Sequence, residues 1–287
     1  MSGIQQMLLA ASSVSTLDAY TTNIWSVISM RKLIGSYSGS CVRIRRSSDN
    51  TEQDIGFSGG LIDQAAAVSF CGAGDGFVVR GYDQSGSGND FIQTATTARQ
   101  PKLVSSGSFN ASGQIEFDGT DDWMESANNS GTPNGMTAFI KGKLRAVPNM
   151  FNMYLEHTAD GVTNSGISAY YNLSTTNLVE SVGPNANRAS SFYSLEILND
   201  NVHAYNCNRA AVGGAAVARL FVNGVAKIRT GNGDSGTVAG NFDAAKWNLG
   251  ARTAASIPAQ LNLKHLVIYQ ASKSDPDTAA ISAILAN

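Results

Sequence analysis

Turn chemistry recurs at short intervals through most of this chain, and it is the feature that most limits the fold. Gly86-Ser87-Gly88-Asn89-Asp90, Gly119-Thr120-Asp121-Asp122, Ser130-Gly131-Thr132-Pro133-Asn134-Gly135 and Asn223-Gly224 each join a residue that tolerates positive φ to a local side-chain acceptor. Between them lie short β-prone runs: Thr137 to Leu144, Met150 to Glu156, Gly166 to Tyr171, Ser191 to Leu198, Ala218 to Val222 and Leu261 to Tyr269. Asn223-Gly224 sits between Leu220-Phe221-Val222 and Val225-Ala226-Lys227-Ile228, which is the signal of a two-residue type I′ hairpin. Many short strands closed by such turns predict a mostly-β sandwich or jelly roll.

The two ends read differently. Ile24 to Ile34 carries apolar groups at helical spacing, with Arg31 and Lys32 near its end and Gly35 after it, so a helix is predicted there. Val42 to Arg46 and Phe77 to Arg80 read as strands. Leu61 to Phe70 is Ala-rich and reads as a short helix with Asp63 near its start. At the far end Ser274 offers an N-cap and Pro276 a first-turn proline for a terminal helix with Ile281, Ile284 and Leu285 on one face. The expected organisation is an N-terminal arm over 1–20, a mixed helix and strand extension over 21–76, and the jelly roll over 77–287.

Composition narrows the partners. Charged residues make up 15% and the net charge is −2. A typical soluble domain has about 25% charged residues. The surface is therefore neutral and hydrogen-bonding, and neither nucleic acid nor an anionic membrane is favoured by the global field. Arg43, Arg45 and Arg46 form one basic cluster, whose expected partners are Asp49, Glu52 and Asp54. The three cysteines, Cys41, Cys71 and Cys207, have no zinc or redox spacing and are expected as buried free thiols. No apolar run approaches the roughly 20 residues of a membrane helix. The apolar stretch from Met7 to Ala11 lacks a basic region before it and makes a poor signal peptide.

Several motifs carry a resemblance. Phe117-Asp118-Gly119-Thr120-Asp121-Asp122-Trp123-Met124 resembles a strand–turn–strand of concanavalin A-like and laminin-G-like jelly rolls. Leu220 to Val225 resembles their NG hairpin, Asn248-Leu249-Gly250-Ala251-Arg252 a late strand, and Leu263 to Tyr269 with Ser274-Asp275 their closing strand and helix. The front half is narrower in its likeness. Arg45 to Asp49, Asp54-Ile55-Gly56 and Tyr82 to Asp90 resemble the opening of the fungal α-L-arabinofuranosidase B catalytic domain, and are also similar to bacteriophage virion and tail-associated proteins. The opening Met1 to Leu9 resembles the start of phage tail-tip or fibre proteins.

These resemblances imply a concanavalin A-like jelly roll with a partly helical N-terminal extension and a short C-terminal helix. They leave its chemistry open. A glycosidase needs two carboxylates about 5–5.5 Å or 6.5–9.5 Å apart. The acids Asp83, Asp118, Asp121, Asp122, Glu156, Glu180 and Glu196 are available, but sequence spacing does not pair them. The arabinofuranosidase likeness implies an adjacent Cys pair beside the sugar and an acid/base aspartate after a late Gly-rich strand. This chain has no adjacent cysteines, Leu249-Gly250-Ala251-Arg252-Thr253 carries no acid, and the nucleophile glutamate has no evident counterpart. The expectation drawn from those departures is a non-catalytic virion structural protein of a bacteriophage exterior, as head decoration, fibre or tail component. It would be made in the host cytoplasm without a signal peptide and carried on the virion surface. A glycoside hydrolase of arabinofuranosidase type and a free soluble lectin are the alternatives.

Its expected partners are other virion proteins through Met7, Leu8 and Leu9 of the arm, further copies of itself, and a host-surface glycan, with no nucleic acid and no membrane insertion. Trp123, Tyr170, Tyr171, Trp247 and Asn248 are the residue types a carbohydrate site would use: aromatic platforms and an amide. Asp118, Asp121 and Asp122 offer ligands for Ca2+, although Asp118 capping a turn with the other two facing solvent is the preferred account of them. No other cofactor is expected. His157, His203 and His265 are isolated and read as structural, and Gly86 to Asp90 reads as a tight turn rather than a phosphate nest.

Overall fold

The computed structural model of the chain describes residues 15–146, 151–157, 166–172, 177–183, 189–194, 198–208, 218–228, 241–252 and 256–287. In chain order its elements are β1 (Ile24–Ser29), β2 (Val42–Arg46), β3 (Glu52–Ile55), β4 (Phe57–Ser58), β5 (Leu61–Ile62), α1 (Gln64–Cys71), β6 (Gly76–Gly81), β7 (Phe91–Ile92), β8 (Lys102–Ser105), β9 (Ser108–Phe109), β10 (Ile115–Glu116) and β11 (Met124–Ser126). There follow β12 (Gly135–Ala146), β13 (Phe151–His157), β14 (Gly166–Asn172), β15 (Asn177–Gly183), β16 (Ala189–Ser194), β17 (Asn201–Asn208), β18 (Ala218–Val222), β19 (Val225–Ala226), β20 (Trp247–Leu249), β21 (Gln260–Tyr269) and α2 (Asp275–Ala286).

The pairings are antiparallel and form two layers. The front layer runs β16–β15–β14–β13–β20–β11–β7–β6–β2–β3. The back layer runs β19–β18–β17–β12–β21, with β1 and β10 sharing the free edge of β21. Strand β8 pairs with both β6 and β10 and joins the layers at one edge. The mostly-β jelly-roll sandwich predicted from the turn chemistry is what forms.

The main core lies between the layers and includes Trp25, Ile44, Val78, Phe117, Tyr154, Trp247, Leu263 and Ile268. A second apolar cluster covers the outer side of the back layer, where Ile281 and Leu285 of α2 pack on Val27, Phe139, Phe221 and Val267. The back layer is thus buried on both faces. Ser274 caps α2, its side chain accepting from the Asp277 N–H at 3.3 Å, as its sequence predicted.

That double burial explains one correction. Residues 24–34 do not form a helix: Ile24–Ser29 is strand β1, paired with β21. Trp25 and Ile28 face the main core while Val27 faces the outer cluster. Apolar groups on both faces of a strand imitate helical spacing. Gly35 is not a helix cap; its N–H donates to Asp18 Oδ1 at 2.8 Å. Similarly, Leu61–Ile62 is a short strand, and the predicted helix begins at Gln64 with Asp63 as its cap.

Several side-chain and turn expectations hold. Cys41, Cys71 and Cys207 are free and buried. Arg43 pairs with Asp54 at 2.7 Å and Arg46 with Asp49 at 2.6 Å, whereas Arg45 stacks on Phe77 and donates to Gln100 and Asn50. The Asn223-Gly224 hairpin has φ of 50° and 79°, as a type I′ turn requires. Gly86 and Gly88 take positive φ in a turn closed by Asp83, which accepts from Ser85 and Asn89. Among the described residues no helix is long and apolar enough to cross a membrane. Met7, Leu8 and Leu9 lie outside the described residues.

Candidate functional site

The sequence between β10 and β11 folds into a turn that concentrates acids. Gly119 adopts φ of 81°, and Asp118 Oδ1 accepts from the Thr120 and Asp121 backbone N–H groups at 2.7 and 3.3 Å. Asp118 therefore caps the turn, as expected. Asp122 does not face solvent, a correction to the sequence reading: it is 5% exposed, and its Oδ2 accepts from the Asp118 N–H at 2.8 Å. Burial, with the nearby Asp118 carboxylate adding to it, pushes the Asp122 carboxyl up to about 7.

This turn forms one wall of a cleft of about 350 Å3 at the edge where β8 joins the layers. Phe77, Gln100, Lys102, Glu116, Asp122 and Arg145 line the cleft. β-pairing sets Lys102 directly opposite Glu116. Glu116 accepts from Ser112 Oγ at 3.2 Å and has the Arg145 guanidinium 4.0 Å away. Arg145 also donates to the Phe117 carbonyl at 2.8 Å, which fixes it over the cleft. Lys102 is held by Asp75 at 2.9 Å and lies over the Phe77 ring. The cleft thus combines a carboxyl that stays protonated to near neutrality, a carboxylate beside a cation, and an aromatic wall. A carboxyl that keeps its proton to near neutrality in a cleft can donate that proton to a leaving group.

Asp118, Asp121 and Asp122 bring one oxygen each within 4.8 Å of one another. Ca2+ takes six to eight oxygens. Oxygens of Asp118 and Asp122 are already engaged by backbone N–H groups of the turn.

A second grouping lies on the outer face of the front layer. Asn248 of β20 is in register with Glu125 of β11 on one side and Glu156 of β13 on the other. Glu156 is fully buried and accepts from Arg252 Nε at 2.8 Å, while Lys246 pairs with Glu125. Arg252 is the residue that stands where the arabinofuranosidase likeness implied an acid nearby.

The carbohydrate-type residues are distributed between these regions and the core. Trp247 and Tyr171 are buried in the main core, Trp247 with its ring 4.8 Å from that of His157. Asn248 is 2% exposed on the outer face. Tyr170 is partly exposed and alternates with the core residues Ala169 and Tyr171. Trp123 is partly exposed just before β11, and its backbone N–H donates to the Arg99 carbonyl at 3.2 Å. The side chain of Glu180, and Glu196, lie outside the described residues. His157, His203 and His265 are buried.

Lys102, Glu116 and Arg145 were not singled out in the sequence. They come from three different strands: β-register sets Lys102 opposite Glu116, and the reach of the Arg145 side chain brings it to Glu116. Glu116 did carry a signal, as it directly precedes the Phe117 to Met124 motif.

Residues 18–121 match the family described as Alpha-L-arabinofuranosidase B, catalytic. No curated protein matches the chain in sequence. Among solved structures, a Glu-to-Gln mutant of a GH54 α-L-arabinofuranosidase soaked with 4-nitrophenyl α-L-arabinofuranoside is similar over 94% of this chain and 64% of its own, with TM-score 0.64 and 16% identity. An arabinofuranosidase complexed with arabinofuranosyl-α-1,2-xylobiose gives a TM-score of 0.63 at 16% identity, again over 94% and 64%. The chain therefore spans less than two thirds of the length of these proteins, and at this identity the likeness is one of fold. The family matched is an enzyme's catalytic domain. That finding overturns the expectation of a non-catalytic virion structural protein, whether head decoration, fibre or tail component.

Proposed function

We propose that this chain is a glycoside hydrolase that removes α-L-arabinofuranosyl groups, with the cleft beside β8 as its active site. The observation that carries the reading is the Asp122 carboxyl, raised to about 7 inside a cleft that also holds the Glu116 carboxylate. The family match over 18–121 and the shared sandwich support the substrate class.

In this reading Asp122 donates its proton to the glycosidic oxygen as the bond to the anomeric carbon breaks. Glu116 stabilises the positive charge that develops on the sugar ring. Water then adds to the anomeric carbon and its proton passes to a carboxylate, so the sum is hydrolysis. Phe77 packs against the sugar's apolar face, and Arg145, 4.0 Å from Glu116, positions it over the cleft. The departures at the Cys pair and after Gly250 argued against catalysis only if the acid must come from those places. Asp122 supplies a protonated carboxyl from another turn.

The test is arabinose release from an arabinofuranosyl-decorated xylo-oligosaccharide. Wild type should release it, and Asp122→Asn and Glu116→Gln should each lose at least a hundred-fold in kcat. Full activity in Asp122→Asn, with loss on Glu156→Gln, would move the active site to the outer face of the front layer.

A further inference from the structure

With Asp122 read as the acid of the cleft, a reading on which this step rests, we propose that Gln93 is its positioning residue. The buried Gln93 amide holds the chain just beyond Asp122, so that the carboxyl stays seated in the wall of the cleft. Trp123, which follows Asp122, is held at both of its backbone groups by the segment between β7 and β8. Its N–H donates to the Arg99 carbonyl at 3.2 Å, and its carbonyl accepts from Gln93 Nε2 at 3.1 Å. On the other side Asp122 is held by its own turn, through the Asp118 N–H at 2.8 Å. Asp122 therefore sits between two anchors, one local and one supplied from 30 residues away along the chain.

The distant anchor is built to be rigid. Gln93 and Gln100 are both buried. The Gln93 N–H donates to the Val79 carbonyl at 2.9 Å, and its Oε1 accepts from the Thr96 N–H at 3.3 Å. The Gln93 carbonyl accepts from Gln100 Nε2 at 2.9 Å, which closes the segment on itself. Gln100 Oε1 in turn accepts from Arg45 Nε at 2.7 Å, and Arg45 also donates to the Thr97 carbonyl at 3.3 Å. Two buried amides in a connecting segment are costly unless they are paired in this way. Gln100 lines the cleft and Gln93 does not, so Gln93 reaches Asp122 only through Trp123. The titratable groups around Asp122 are Asp118 and Asp121 of its own turn, Lys102 of β8, Glu116 of β10 and Arg145 of β12. The bonds of Gln93 run instead to Val79, Thr96, Gln100 and Trp123, so changing it leaves those charges in place. With the Trp123 carbonyl released, water reaches the Asp122 carboxyl and relieves the burial that raises it.

The experiment is an NMR titration of the Asp122 carboxyl in the full chain, its signal assigned with Asp122→Asn, run beside the pH profile of kcat on 4-nitrophenyl α-L-arabinofuranoside. Gln93→Met removes the amide at similar length, and Gln93→Asn leaves an amide too short to reach Trp123. In both, the Asp122 midpoint should fall by about one pH unit or more. In both, kcat should drop roughly ten-fold or more, with KM changed by less than about two-fold. Gln84→Met deletes another buried amide, one bonded to Leu33, Ser29 and Arg31. It should lower the melting temperature and leave the Asp122 midpoint where it is in wild type. A midpoint unchanged in a folded Gln93 variant, or moved as far by Gln84→Met, would overturn the inference. The titration needs no turnover. A wild type that hydrolyses nothing, with a midpoint that still falls in the Gln93 variants, would remove the hydrolase reading and leave Gln93 as the residue that seats Asp122.

Discussion

The ring of Phe117 occupies the space that a Cβ on Gly250 would need, and Gly250 itself has φ of 84°. This contact locks the turn after β10 against the end of β20, and so joins two of the motifs that carried the fold resemblance. Gly250→Ala meets both a clash with a fully buried ring and an unfavourable backbone. A loss of about 3 kcal/mol is expected, seen as a lower denaturant midpoint with an unchanged slope. A variant as stable as wild type would mean that the Phe117 ring is free to move aside.

Asp83 is the keystone of the front turn. Its carboxylate accepts from the backbone N–H groups of Val27, Ser85 and Asn89 at 2.8 to 3.0 Å, and from Ser85 Oγ at 2.7 Å. Asp83→Ala leaves the Val27 and Asn89 donors buried without an acceptor. Stability should fall by about 2–4 kcal/mol in thermal or urea unfolding. Asp83→Asn keeps part of the acceptor set and should recover part of the loss.

Burial lowers His157 to about 4, against 6.5 when exposed. Its Nε2 lies 2.6 Å from Ser130 Oγ, and its ring packs on Trp247 and Phe242. The folded state binds fewer protons than the unfolded one across this window. Stability is therefore complete above about 6.5 and declines as pH falls toward 4. His157→Gln should flatten that decline without abolishing it, because His265 is also buried, held neutral, and shifted in the same direction. Urea midpoints measured across the window would show the change in slope.

Asp122 has the opposite sign. Its folded value near 7 lies above the 3.8 of an exposed aspartate, so the folded state holds an extra proton between them. Its stabilising contribution is present below 3.8 and is lost as pH rises through about 7. Asp122→Asn removes the charge that burial penalises. It should be more stable than wild type at alkaline pH, by on the order of 3 kcal/mol, and the gap should close in mild acid. An equal gap at every pH would show that Asp122 is not raised.

The fold was legible because turn residues act locally. Asn223-Gly224 needs positive φ wherever it sits, and Asp118 caps its own turn. Ile24–Ser29 was misread because both of its faces are covered, one by the main core and one by the cluster under α2. Strand β17 was passed over for the same reason: Val202 to Cys207 is buried throughout, so no alternation marks it. The site was less legible. Asp122 belongs to a motif visible in the sequence, but its burial comes from packing across the turn. Lys102, Glu116 and Arg145 meet only through the register of β8, β10 and β12 and the reach of their side chains.

The central claim is that Asp122 acts as an acid in a hydrolytic cleft. The most direct measurement is the pH dependence of kcat/KM for 4-nitrophenyl α-L-arabinofuranoside, with wild type and Asp122→Asn compared. The account predicts hydrolysis by wild type that falls as pH rises through about 7, where Asp122 loses its proton, and a variant at least a hundred-fold slower without that fall. Hydrolysis no faster than in buffer, or the same alkaline fall in Asp122→Asn, would contradict it.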